Sequence, residues 1–540
     1  MPIDTDRMRQ EIARRRSFAI ISHPDAGKTT MTEKLLLYGG AIHLAGSVKA
    51  RKAQRHATSD WMEIEQKRGI SVTSSVMQFE YEGFCVNILD TPGHQDFSED
   101  TYRTLCAADA AVMLIDAAKG VEPQTIKLFQ VCRLRQIPIF TFINKMDRAA
   151  IPPFDLIDEL EKVLGIQSYP MNWPIGIHGD FKGVYKRREA EIELYDSSSS
   201  QHGQKQVLGR TCSLDEARDL GLEEHYLETL NEEIELLDVA GEDFSEERIR
   251  QGQLTPVFFG SAINNFGMAH FLEHFLAMAP PPSPRQAEDR LIQADEPFFS
   301  GFVFKIQANM NPEHRDRLAF IRICSGVYER NMEVRHMREG RTVRLAPPQQ
   351  FLAQSHKLVD EAYAGDIIGV FDPGIFRIGD SICSKDEKIR FADIPVFPAE
   401  NFARIQPKDS MRRKQFLQGM QQLSQEGAVQ LYKQPDIGTE TYIAGVVGSL
   451  QFDVLAYRLR SEYKVELLET RLNYRYARWI EKDGLLLYSA EEAAKLSMTS
   501  TTLLVEDQEG AMLLLFESEW AMAWVLERNK GIRLLDIGMR

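Results

Sequence analysis

Residues 18–30 read Phe18-Ala19-Ile20-Ile21-Ser22-His23-Pro24-Asp25-Ala26-Gly27-Lys28-Thr29-Thr30, and the run Met31 to Tyr38 (MTEKLLLY) follows. The apolar start reads as a buried strand, the turn-forming residues after it as a loop, and the segment from Met31 as a helix. Strand, loop, Gly-Lys-Thr and helix in this order form the context that turns a loose pattern into a phosphate-binding loop. Successive backbone N–H groups at a helix N-terminus wrap a phosphate. Lys28 adds a point charge at the β/γ oxygens, and Thr29 offers a hydroxyl to Mg²⁺. Ser22, His23, Pro24, Asp25, Ala26, Gly27, Lys28, Thr29 and Thr30 are therefore the expected phosphate contacts. Ser22 stands where the general pattern has its first glycine, and the tripeptide alone is also compatible with a plain loop-to-helix turn.

Working outward, short apolar runs at Phe84 to Leu89, Ala111 to Ile115, Ile139 to Ile143 and Val257 to Phe259 alternate with helical patterns. That rhythm predicts an α/β domain with a mostly parallel sheet. Three polar clusters sit at strand ends, where open α/β sheets bind ligands. Asp90-Thr91-Pro92-Gly93-His94 places an acid that can hold Mg²⁺ through water and a glycine N–H that can reach a γ-phosphate; its bland reading is a surface turn. In Asn144-Lys145-Met146-Asp147, Asp147 can accept two hydrogen bonds from guanine N1–H and the exocyclic amine, which adenine cannot supply, and Asn144 can bond another ring edge. A polar cap after a strand would look similar. Gly260-Ser261-Ala262 can direct a backbone N–H at guanine O6, or be a generic turn. The four clusters in chain order point to GTP or GDP as the ligand, with Mg²⁺.

Between the first two clusters lies Arg68-Gly69-Ile70-Ser71-Val72-Thr73. Arg-Gly-Ile-Ser followed by Asp-Thr-Pro-Gly-His resembles the translational GTPases, the ribosome-associated family that includes elongation factors Tu and G. The resemblance implies a P-loop GTPase domain, a β-barrel domain and a C-terminal α+β domain. It also implies that Ser71, where most members carry Thr, joins Thr29 and Asp90 around Mg²⁺. His94 is implied to orient the attacking water, so that His94 and Lys28 are the catalytic candidates, and to be badly placed until the ribosome binds. The alternative reading of His94 is a solvated side chain after a turn. Further segments, YPMNWPIG from Tyr169, LSQEGAVQ from Leu423 and VGSLQFDV from Val447, are similar to the class II release factors of that family. What this implies is a ribosome-dependent GTPase of termination that promotes departure of the stop-codon-reading release factor after peptide release. Its partners would be ribosomal RNA, ribosomal proteins and that release factor, with no DNA and no membrane, and the chain a monomer. The alternative is a translocation or ribosome-protection GTPase related to elongation factor G, for which further C-terminal domains are expected beyond a chain ending at Arg540. An ATPase is opposed by Asn144 to Asp147.

The expected organisation is a GTP-binding domain over 1–279 with an acidic insertion at about 178–255, a linker over 280–296, a β-barrel over 297–390 and an α+β part over 391–540. Ala279-Pro280-Pro281-Pro282-Ser283-Pro284-Arg285 marks the linker, because prolines hold the chain extended. Ser197 to Ser200 reads as flexible, and Leu214 to Leu237 as acidic helix. Turns at Ser325-Gly326, Ala364-Gly365-Asp366 and Ile378-Gly379-Asp380 punctuate the barrel. Arg404, Lys408, Arg412, Arg413 and Lys414 form a basic cluster that is either a solvated face or a contact for RNA phosphate. Tyr474, Tyr476 and Trp479, interleaved with Arg475 and Arg478, are expected to pack.

Composition bounds these readings. The 540 residues suit three to four domains, 43% are hydrophobic and 26% charged, and six scattered cysteines without a C-x-x-C pair read as reduced buried thiols of a cytoplasmic protein. A net charge of -15 argues against a nucleic-acid partner when taken whole. However, residues 189–250 hold 18 Asp and Glu against 5 Lys and Arg, so 13 of the 15 excess negative charges belong to the insertion. The remainder is close to neutral and free to meet RNA, with the insertion facing away.

Overall fold

In a computed structural model the described residues are 4–40, 74–177, 180–195, 209–308, 317–347, 349–352, 355–358, 360–392, 394–435 and 442–536. Ser71, the Arg68 to Thr73 segment and the Ser197 to Ser200 stretch lie outside them.

Seven strands build the first sheet: β1 (Arg15–Ser22), β2 (Ser75–Tyr81), β3 (Phe84–Asp90), β4 (Ala110–Asp116), β5 (Ile139–Asn144), β6 (Gln167–Pro170) and, late in the chain, Leu254–Phe259, with spatial order β2-β3-β1-β4-β5-(Leu254–Phe259)-β6. All neighbours are parallel except the β2–β3 pair. Every residue of β1 and β4 is buried, as a sheet covered on both faces requires. Phe18 and Ile20 enter the core on one face, Ala19 and Ile21 the core on the other. On the first of these faces the Met268–Met278 helix lays Phe271 and Phe275 against the sheet, with Phe18–Phe275 and Phe140–Phe275 edge-to-face at 4.6 and 4.8 Å.

The insertion holds strands as well as the expected acidic helical segments. It contains a four-stranded antiparallel sheet of β7 (Asn172–Ile175), β8 (Gly183–Lys186), β9 (Glu191–Leu194) and β10 (Arg210–Cys212), which begins before residue 178. The Leu214 to Leu237 stretch is not one helix. It breaks at Gly221, whose φ of 93° is left-handed, into Leu214–Asp219 and Glu224–Ala240.

The proline-rich linker is anchored. Arg285 donates to the carbonyls of Cys106 and Ala108 and pairs with Asp109 at 2.9 Å, and a short ladder joins Arg285–Gln286 to Leu291–Ile292. Beyond it, an eight-stranded antiparallel sheet runs from Ser300–Ala308 to Ser381–Ser384, with the tight turns at Gly326, Gly365 and Gly379 all at positive φ. This barrel unit docks on the N-terminal ends of the parallel strands through buried polar contacts. Arg322 pairs with Asp109, Arg15 with Asp366 at 2.8 Å, and Ser17 Oγ donates to Gly365 O at 2.6 Å. The opposite, C-terminal ends of the strands are left for a ligand.

Two α+β units complete the chain. In the first, helices Arg413–Gln425 and Leu450–Tyr463 share a core with a four-stranded sheet through Phe416, Met420, Phe452 and Leu459. The second is a five-stranded sheet centred on Tyr476–Lys482, with the Glu519–Arg528 helix against it. Trp479 is packed, its indole N–H on Asp507, as expected. All six cysteines are free and buried. No described helix is long and apolar enough to cross a membrane.

Candidate guanine-nucleotide site

β1 delivers its last residue, Ser22, to a loop that turns at Asp25 (φ 68°) and Gly27 (φ 103°) before the Lys28–Tyr38 helix begins. The helix therefore starts at Lys28, three residues earlier than the apolar run suggests, and Thr29 and Thr30 sit half-buried in its first turn. Both left-handed residues let the loop fold back over the helix N-terminus. Gly27 has a second constraint: a Cβ there would lie 2.3 Å from Asn144 Nδ2.

Asn144 is the brace of the site. Its Nδ2 donates to Ala26 O at 2.8 Å, while its Oδ1 accepts from the N–H groups of Lys145 and Ala262, both at 2.9 Å. The residue is 3% exposed and joins three of the four clusters. Nδ2 carries two hydrogens and gives one to Ala26 O, so the same amide keeps a second N–H for a ring edge while it braces the loop. Gly27→Ala is accordingly expected to displace Asn144, break these bonds and weaken nucleotide binding by roughly 1–3 kcal/mol, or about 5- to 150-fold. Fluorescent-nucleotide titration measures this, and an unchanged affinity contradicts the bracing role.

Lys145 adds a second strut. Its Nζ reaches Asp116 Oδ2 at 2.7 Å, at the end of β4, and Asp25 O at 2.5 Å across the phosphate loop. Met146 is buried with its N–H on Gly260 O at 3.1 Å. Ser261 N donates to Phe266 O and Ala262 N to Asn144 Oδ1, which seats the Gly260-Ser261-Ala262 turn against the Asn144 brace. Asp116 was not a sequence candidate, and only its place at the end of a buried strand hinted at it.

In the second cluster Lys28 Nζ pairs with Asp90 Oδ1, and both side chains are almost fully buried. Thr91 Oγ1 donates to Ile20 O, Thr101 Oγ1 to Pro92 O, and a Cβ on Gly93 would come to 3.5 Å from Pro24 N. The Asp-Thr-Pro-Gly turn is thus laid against the phosphate loop. His23 faces Glu122 at 3.2 Å. His94 is one-third exposed and caps the short 3₁₀ turn Gln95–Phe97, its Nδ1 accepting from Asp96 N at 3.2 Å. Asp96 in turn accepts from Leu450 N at 2.7 Å, and Phe97 packs with Val454. The histidine loop is therefore in direct contact with the C-terminal part, a link between positions more than 350 residues apart.

The donor set fits a nucleotide with a hard divalent ion. Asp90 Oδ2, Asp147 Oδ1, Ser261 Oγ and Ser22 Oγ are buried without a hydrogen-bond partner among the described residues. Buried polar atoms are rarely left so. They lie in the same clusters that supply the metal-side carboxylate, the base-side carboxylate and the phosphate loop, and Mg²⁺ takes oxygen ligands of this type.

Residues 13–281 match the Elongation factor Tu GTP binding domain, 298–385 Elongation factor G domain 2, and 391–526 the C-terminal domain of Class II release factor RF3. A solved structure from Thermus thermophilus superposes with a TM-score of 0.68 over 87% of this chain and 71% of that one, at 21% identity, and so shares the fold. The first two domains in this order are those of a translational GTPase, which binds GTP and GDP and hydrolyses GTP. Peptide chain release factor 3 of Symbiobacterium thermophilum is 58% identical over 98% of each chain, and that of Gloeobacter violaceus 52% identical over 98% of each. The one from Listeria welshimeri is 52% identical over 98% of this chain and 99% of its own. The chain belongs to the peptide chain release factor 3 family, the GTPases of translation termination.

Proposed function

We propose that this GTPase is stimulated by the ribosome, acts in the cytoplasm after peptide release, and uses GTP to promote departure of the stop-codon-reading release factor. The observation that carries the reading is the Lys28–Asp90–His94 arrangement: phosphate-loop lysine, metal-side carboxylate and water-orienting histidine stand in one loop system that also contacts the C-terminal units. Thr29 and Asp90, the latter through water, would hold Mg²⁺, with Ser71 as the further ligand. That ion would polarise the transferred phosphoryl group when bound. Gly93, against the phosphate loop, would reach the γ-phosphate through its N–H. Asp147 would select guanine, and a backbone N–H of the Gly260-Ser261-Ala262 turn would serve O6.

Phosphoryl transfer depends mostly on in-line placement and charge stabilisation, so a histidine held by its own cap and one-third exposed is a group that a partner can reposition. Loss of the γ-phosphate would release Ser71 and Gly93, and the change would pass through Asp96 and Leu450 to the C-terminal part. Arg404, Lys408, Arg412, Arg413 and Lys414 are all exposed, although Lys408 also meets Glu466 at 3.3 Å. These side chains would suit RNA phosphate. The test is single-turnover phosphate release from GTP and from ATP, with and without ribosomes. Slow GTP hydrolysis alone, strong stimulation by ribosomes and no ATP turnover are expected; equal use of ATP, or no stimulation, contradicts the proposal.

A further inference from the structure

Far from the phosphate loop in sequence, the Met268–Met278 helix carries His270 and His274 one turn apart, on one face. Opposite them stands Glu189, from the tight turn between β8 and β9, where Ala190 adopts φ 55°. Glu189 Oε1 is 2.9 Å from His274 Nε2, and Glu189 Oε2 is 3.6 Å from His270 Nε2. The three donor atoms lie within 4.8 Å of one another.

Two features go beyond a chance ion pair. His270 is only 3% exposed, yet neither of its ring nitrogens has a hydrogen-bond partner among the described residues. His274 is pre-oriented: its Nδ1 stands 3.0 Å from His270 O and donates there, which leaves the Nε2 lone pair pointing at the carboxylate. Two acceptors 2.9 Å apart need a cation between them, either a proton or a metal. Zinc bonds of about 2.0–2.2 Å at tetrahedral angles separate neighbouring ligand atoms by roughly 3.3 Å; the 2.9 and 3.6 Å separations, one to each carboxylate oxygen, lie on either side of that value, and the set of three within 4.8 Å closes on an ion by a small shift of the side chains.

We infer that Glu189, His270 and His274 form a site for one divalent transition-metal ion of the Zn²⁺ class, with a fourth position left for water. Its ligands come from the acidic insertion and from the helix packed on the GTPase sheet, so the ion pins the β8–β9 hairpin to the nucleotide-binding domain. Hard ions such as Mg²⁺ are disfavoured by the two imidazoles.

The test uses the full chain without a histidine tag, stripped with chelator and titrated calorimetrically with Zn²⁺ in Mg²⁺ buffer. Co²⁺ absorption serves as a second readout of the coordination. One Zn²⁺ per chain is expected, with binding weakened at least about 10- to 100-fold in Glu189→Gln and in His274→Gln. Both variants change partly exposed side chains and should keep wild-type GTP affinity, which serves as the control for folding. His270→Ala should abolish the site. Absence of Zn²⁺ binding by the wild type, or equal binding by the folded Glu189→Gln and His274→Gln variants, overturns the inference and leaves a hydrogen-bonded His–Glu cluster.

Discussion

Lys28→Ala is expected to abolish GTP binding at ordinary nucleotide concentrations. Two effects act together. The cation that would meet the β/γ oxygens is removed, and Asp90, with its side chain almost wholly buried, loses the ammonium that rests on its Oδ1. Breaking a buried charge pair by removing one partner costs about 3–5 kcal/mol. If that loss falls on the nucleotide-bound state, the Kd rises roughly two to four orders of magnitude. Titration with a fluorescent GTP analogue reads the loss, and circular dichroism shows whether the chain stays folded. Near-normal affinity in a folded variant contradicts the role given to Lys28.

His94→Ala should give the opposite division between binding and turnover. Its ring lies at the rim of the site, capping the Gln95–Phe97 turn, and contributes nothing to the Asn144 and Lys145 struts that shape the nucleotide pocket. GTP affinity is therefore expected to stay within about twofold. Ribosome-stimulated hydrolysis should fall by roughly 10²- to 10⁴-fold, the range supplied by a positioned proton-handling or water-orienting side chain. Fully stimulated single-turnover hydrolysis in this variant would remove His94 from the mechanism. Lys28 and His94 thus separate the two halves of the site, one holding the phosphates and the other placing water.

The sequence exposed the central strands because a strand buried on both faces is a continuous apolar run; β1 and β4 have no exposed residue. The edges were harder to read. β6 (QSYP) is four residues long with Gln167 exposed, and β7 to β10 are no longer than that, so neither length nor alternation separated them from loop. Gly221 did mark a break, but the acidic residues on both sides of it share one helical composition. At the site, the four clusters were legible as residue types after strands, the arrangement known from nucleotide-binding sheets. Their internal bracing was not. Asn144 reaches Ala26 and Ala262 across 118 positions on either side, and Asp96 reaches Leu450 across 354, contacts that follow from topology rather than local pattern. The same holds for Glu189 with His270 and His274, of which only the i, i+4 histidine spacing is visible along the chain.

The central claim is that GTP drives departure of the stop-codon-reading release factor through this fold. Its most direct measurement follows a labelled release factor on ribosomes that have just released their peptide, after addition of this protein with GTP, with GDP or with a non-hydrolysable GTP analogue. Accelerated loss of the label with GTP, and not with GDP, is the predicted result. An unchanged dwell time with GTP, under conditions where the ribosome stimulates phosphate release, would contradict it.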